Sequence, residues 1–175
     1  YSDVQPENKN SKVSSGALRG TAMHRALEGI DFTREYSESD LQTELIRMEE
    51  SGFLTHEEAK VINMNALYIF LKSDTAGLLG RAQKENRLLR VQNFVFSEEL
   101  KKIFKGLKEL PEDFTVEALV QGTTDALIVG DDGITVIDYK TDRVENEEEL
   151  KERYTRQLQL YGEAAGRAEH LPRRL

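Results

Sequence analysis

The sequence predicts an α+β fold, in which an antiparallel hairpin forms part of a sheet flanked by helices. Three observations carry this. Apolar residues recur at helical spacing through most of the first half. Two runs rich in Val, Ile and Leu meet at Gly130-Asp131-Asp132-Gly133, a strong turn signal. The chain then closes on a charged stretch from Glu145 onward with the period of one long helix. No internal repeat or low-complexity tract interrupts it, so a single α+β domain is expected.

The elements follow in order. Residues 1–15, rich in Ser, Asn and Lys and opening on Tyr1, read as a polar linker from a preceding region, with the globular part over 16–175. "SSGALRGTAMHRALEGIDF" is expected to be a helix capped by Ser14 or Ser15, ending near Gly29 and carrying His24. "SESDLQTELIRMEESGFL" and "THEEAKVINMNALYIFLKS" each predict one amphipathic helix, opened by Ser or Thr with acids in the first turn and separated by Gly52. "DTAGLLGRAQ" predicts a short helix, and "NRLLRVQNFVFS" has the length and Val/Phe content of a strand. "EELKKIFKGLKELPEDF" fits a short helix or an irregular excursion equally well. "FTVEALVQGTTDALIVG" and "GITVIDYKTD" are strands, and "ENEEELKERYTRQLQLYGEAAGRAEHL" is the closing helix.

Composition narrows the function classes. The 175 residues, 38% hydrophobic and 32% charged, suit a globular domain with one substantial core. No apolar run approaches the roughly 18 to 20 residues of a membrane span, and no signal segment opens the chain, so a cytoplasmic setting is expected. With no cysteine there is no disulfide, thiolate-bound zinc or cysteine-ligated iron–sulfur cluster. Any metal must be held by oxygen and imidazole, which favours a hard cation such as magnesium. A net charge of -8 argues against a free-standing nucleic-acid binder, though a carboxylate-lined metal site is itself acidic when empty.

The turn fixes the register of the hairpin. A two-residue loop at Asp131-Asp132 pairs Gly130 with Gly133 and, counting back along both strands, sets Asp125 directly opposite Asp138. Lys140, two residues further, shares the face of Asp138. Opposed like charges cost a strand pair up to about 1 kcal/mol, and more when apolar neighbours exclude water. A divalent cation between the two carboxylates would turn that repulsion into coordination, with Lys140 placed to act on what the ion holds. The plainer reading, that either aspartate bonds local backbone at a turn or strand end, stands for each alone; it is less suited to three polar groups converging in an apolar hairpin.

At these residues the chain resembles the PD-(D/E)XK nuclease superfamily, in the form carried by RecB-type nuclease domains. "GTTD" with "IDYKTD" is similar to its Asp and Asp-x-Lys elements, "RGTAMHRAL" to its N-terminal Gly-Thr-x-x-His helix, and "YTRQLQLYGEA" to its closing Tyr-x-x-Gln-Leu-x-x-Tyr helix. These matches run from Gly20 to Tyr161 in the family's order. The resemblance implies a restriction-endonuclease-like core with a mixed sheet and a helical insertion over about 37–83. It implies a magnesium-dependent, exonuclease-type DNA nuclease of bacterial double-strand-break repair and recombination, with Mn2+ or Ca2+ able to substitute in binding. The partners it implies are single-stranded DNA at the site, a helicase region of the same parent chain reached through the polar opening, and an AddB-type subunit.

It also implies roles. Asp125 and Asp138 are the carboxylate metal ligands, His24 the imidazole ligand, and the Tyr139 carbonyl a further one. Lys140 orients or deprotonates the attacking water and stabilises charge in the transition state. Gln157 and Tyr161 lie on one helical face and position the phosphate or the lysine, with Tyr154 a lesser candidate. Bland readings stay open: His24 as a packed histidine, Gln157 and Tyr161 as core-edge packing. One departure is visible. Family members commonly carry Arg-Glu-x-Pro-Phe on the strand before the hairpin, whereas the matching "RVQNF" puts Val91 at the acid's place, which leaves one metal or two undecided. A related domain kept as a weakly active or inactive DNA-binding or subunit-docking module is the alternative, and a calcium-dependent structural cluster a more distant one.

Overall fold

The computed structural model describes residues 9–103, 115–141 and 146–168. They fall into two compact units: residues up to Arg87 with the short segment beginning at Tyr139, and Leu88–Asp138 with the closing helix.

The first unit is helical: α1 (Lys9–Gly29), α2 (Glu38–Glu50), α3 (His56–Val61), α4 (Met64–Leu71) and α5 (Asp74–Lys84). Small polar residues start four of them. Ser37 and Asp40, and Thr55 and Glu58, form reciprocal capping boxes for α2 and α3. Asn63 accepts from the Ala66 amide and Ser73 from the Ala76 amide, opening α4 and α5. Ala22, Ala26, Leu27, Ile30, Leu41, Met48, Leu54, Leu67 and Leu79 make the core.

Two boundaries differ from those the sequence predicts. Helix α1 begins at Lys9, inside the stretch read as linker and ahead of Ser14 and Ser15, because nothing from Lys9 to Ser15 is a glycine or proline that would stop it. The helix expected over "THEEAKVINMNALYIFLKS" is two helices, since Ile62 is extended and Asn63 turns its side chain to capping the second. Gly80 has a stricter reason to be glycine: an added Cβ would lie 2.4 Å from the Phe32 carbonyl oxygen.

The second unit carries the sheet: β1 (Leu88–Glu99), a short α6 (Leu100–Ile103), β2 (Glu117–Val129), β3 (Ile134–Ile137) and α7 (Glu147–Ala168). The strand order is β1-β2-β3, and every pairing among the described residues is antiparallel. Ala126, Leu127 and Ile128 are buried on β2, as are Ala164 and Ala165 on α7, which packs on β3 and β1. Asn146 accepts from the Glu149 amide at 2.9 Å and caps α7. The undecided stretch after β1 opens as α6; residues 104–114 lie outside the described residues. The fold is α+β, as the sequence predicts.

Candidate active site

The hairpin of the second unit has the register that its turn dictates. Gly130 donates to the Gly133 carbonyl at 2.8 Å, and Val129, Ile128, Leu127 and Ala126 pair with Ile134, Thr135, Val136 and Ile137. The next step along this ladder is Asp125 opposite Asp138, the latter the first residue past β3. Both carboxylates are half-buried, set between the buried Thr124 and Ala126 on one strand and the Ile137 end of the other. Lys140 is exposed.

On its other side β2 pairs with β1, and the ladder there skips Val91, which stands across from Asp125 between the pairs Arg90–Ala126 and Gln92–Thr124. Val91 has φ of 49°, a left-handed conformation that a β-branched residue takes only under strain. The Gln92 side chain turns back to donate to the Arg90 carbonyl at 2.8 Å. So the site of the family's acid holds a strained valine beside the candidate metal ligand.

Helix α7 contributes a coupled pair. Gln157 Nε2 donates to the Tyr161 hydroxyl at 2.5 Å, as residues four apart on one helical face can. The Phe94 ring from β1 meets the Tyr161 ring nearly perpendicular, centroids 5.2 Å apart. Across the ladder from Phe94 is Gly122, where a Cβ would come within 2.5 Å of the Phe94 ring. Phe94 and Gly122 are the residues sequence reasoning missed. Glycine facing an aromatic across a strand pair is a readable signal, but only once the β1–β2 register is known, and the long connection between those strands does not fix it. Tyr154, a turn earlier on α7, is half-buried.

In the helical unit, His24 on α1 is half-buried, with its ring perpendicular to that of Tyr139 at 6.0 Å between centroids. Tyr139 is buried and also meets the Phe70 ring edge to face at 5.6 Å. Gly20 lets α1 approach the segment holding Lys140: a Cβ there would lie 3.4 Å from the Thr141 hydroxyl. This accounts physically for the glycine of "RGTAMHRAL". Among the described residues, no group of three or more His, Asp or Glu side chains stands ready to enclose a metal; the donors that the structure sets face to face are the two carboxylates of the hairpin.

These features sit within a wider pattern of similarity. The family description that matches residues 2–174 is the PD-(D/E)XK nuclease superfamily. The chain belongs to that superfamily. Relatives that carry the name of the ATP-dependent helicase/nuclease A-subunit include one from Listeria welshimeri, 34% identical over 164 residues, covering 89% of this chain and 13% of the relative. Those from Clostridium botulinum strain Alaska E43 and Anoxybacillus flavithermus are 35% and 32% identical, covering 89% and 91% of this chain and 12% of each relative. The chain thus spans a small part of the length of these relatives. Among the described residues no helix is long and apolar enough to cross a membrane.

Proposed function

We propose that this chain is a magnesium-dependent deoxyribonuclease domain that hydrolyses phosphodiester bonds of a DNA strand in exonuclease fashion. It would work in the cytoplasm as the AddA-type nuclease part of a bacterial helicase–nuclease in double-strand-break repair and recombination. The helicase region of the parent chain and an AddB-type subunit would be its partners. The observation that carries the reading is the hairpin register, which sets Asp125 against Asp138 two residues before Lys140, in a chain of this superfamily.

The donor set suits a hard divalent cation: two carboxylates on facing strands, with no thiolate in the chain to prefer a softer ion. Asp125 and Asp138 would hold it, with His24 and the Tyr139 carbonyl as further ligands. When bound, such an ion polarises the phosphoryl oxygen and lowers the pKa of water. The rest falls to the side chains. Lys140 orients the attacking water and sets its positive charge against the phosphorane-like transition state. Gln157, hydrogen-bonded to Tyr161, positions the scissile phosphate. Water oxygen bonds to phosphorus as the phosphorus–oxygen ester bond breaks, and the water's proton passes to the departing oxygen without a covalent enzyme intermediate.

Val91 in place of the family's acid favours a second reading, a DNA-binding or docking module with little or no cleavage. Cleavage of single-stranded DNA in magnesium, compared with Asp138→Ala and Lys140→Ala, separates the two. The nuclease reading expects metal-dependent cutting that falls at least about 100-fold in each variant, the scale lost when a transition-state charge partner is removed. A wild-type chain that binds but never cuts would support the module.

A further inference from the structure

The helical unit encloses a cavity of about 390 Å³ that none of the candidate active-site residues lines. Its walls come from the Phe32–Tyr36 connection between α1 and α2, the junction of α4 with α5, and one face of α5. Four cationic residues line it, Arg34, Lys72, Arg81 and Lys84, against the single carboxylate of Glu35. All four are exposed. In a chain of net charge -8 this is a local reversal of sign. Helix ends favour Lys72, Arg81 and Lys84 one at a time, but do not explain their gathering with Arg34 around one hollow.

The cations are held in place and under-neutralised. Arg34 stacks over the Tyr36 ring at 5.2 Å and approaches Glu44 at 3.8 Å, but Glu44 is already gripped by Arg47 at 2.5 Å. Lys72 Nζ sits 5.3 Å from the Tyr68 ring centre, and Arg81 lies over Gly77. Lys72, Arg81 and Lys84 make no ion pair with a described residue. The wall also contains the buried Tyr36, whose hydroxyl lies near the Asp31 backbone without completing a hydrogen bond to any described partner. A phosphate group would relieve the mutual repulsion of the cations.

We propose that this cavity binds a backbone phosphate of single-stranded DNA, holding the strand on the helical unit. This rests on the nuclease reading for the identity of the strand. A hollow of this size suits a nucleotide-sized group, and a flexible single strand can bend into it where a stiff duplex cannot.

The test uses the 175-residue chain with calcium in place of magnesium, measuring fluorescence anisotropy of a labelled oligothymidylate across a salt series. The combined variant Lys72→Ala, Arg81→Ala, Lys84→Ala is expected to bind about 10-fold more weakly, with the log–log salt slope shallower by roughly 2, near 0.7 per cation. Thymidine monophosphate and inorganic phosphate, as competitors, should displace the strand poorly. If the combined variant does not fold by circular dichroism, the single Lys84→Gln gives the same test with a slope change of roughly 0.7. Unchanged affinity and slope would overturn the proposal, as would wild-type protein that binds no oligonucleotide, or a loss confined to thymidine monophosphate or phosphate. Asp138→Ala should keep the binding. A wild-type chain that fails to cut in magnesium while the cation variant still loses the strand would sink the nuclease reading and leave the pocket standing.

Discussion

Phe94 braces Tyr161: the two rings meet edge to face at 5.2 Å, and Gly122 across the ladder keeps open the space that Phe94 fills. Through this contact the sheet sets the orientation of the hydroxyl that accepts from Gln157. Gly122→Ala would bring a Cβ to 2.5 Å from the Phe94 ring tip, so the ring has to shift. We expect a loss of about 1–3 kcal/mol, measured by urea unfolding, together with a fall in kcat exceeding any change in KM. A variant as stable and as active as the parent would show that the brace does not matter.

The left-handed Val91 carries strain of about 1–3 kcal/mol. Asparagine adopts that backbone region far more readily than valine. Because Val91 is 38% exposed, little packing is lost on replacing it. Val91→Asn is therefore expected to raise the melting temperature by roughly 1–4 °C. A lower melting temperature would contradict the strained assignment.

How much of this was legible in the sequence depends on where each constraint lies. The hairpin register was readable because Gly130-Asp131-Asp132-Gly133 is a local device that fixes strand pairing without reference to anything distant. The pairing of Gln157 with Tyr161 was readable from helical spacing alone. The Phe94–Tyr161 contact was not, because it needs both the β1–β2 register and the docking of α7, which no short stretch encodes. The break at Ile62 was hidden because apolar spacing continues through it, and only the capping role of Asn63 divides α3 from α4. The basic cavity was also invisible: its cations are spread from Arg34 to Lys84 and meet only through helix packing.

Glu44 makes the helical unit acid-sensitive. Hydrogen bonds from Arg47, helped by the charges of Arg47 and Arg34 and opposed by burial, hold its carboxyl below the ordinary carboxylate range. A depressed folded-state pKa contributes stability that is complete above the unfolded value of about 4.3 and is lost as pH falls through the folded value. Glu44→Gln should cost about 1–2 kcal/mol at pH 7, and the gap to wild type should close on acidification below about pH 4. Urea midpoints at both pH values check this, and a gap that persists in acid would place its origin elsewhere.

The central claim is that Asp125 and Asp138, opposed across the hairpin, hold a divalent cation. Manganese binding, followed by electron paramagnetic resonance on the wild-type chain and on Asp125→Asn and Asp138→Asn, tests it most directly and needs no cleavage. The account predicts one bound ion whose affinity falls at least about 10-fold in either variant, since even supporting residues around a metal cost that much when removed. Equal manganese affinity in all three proteins, with each variant folded, would contradict it.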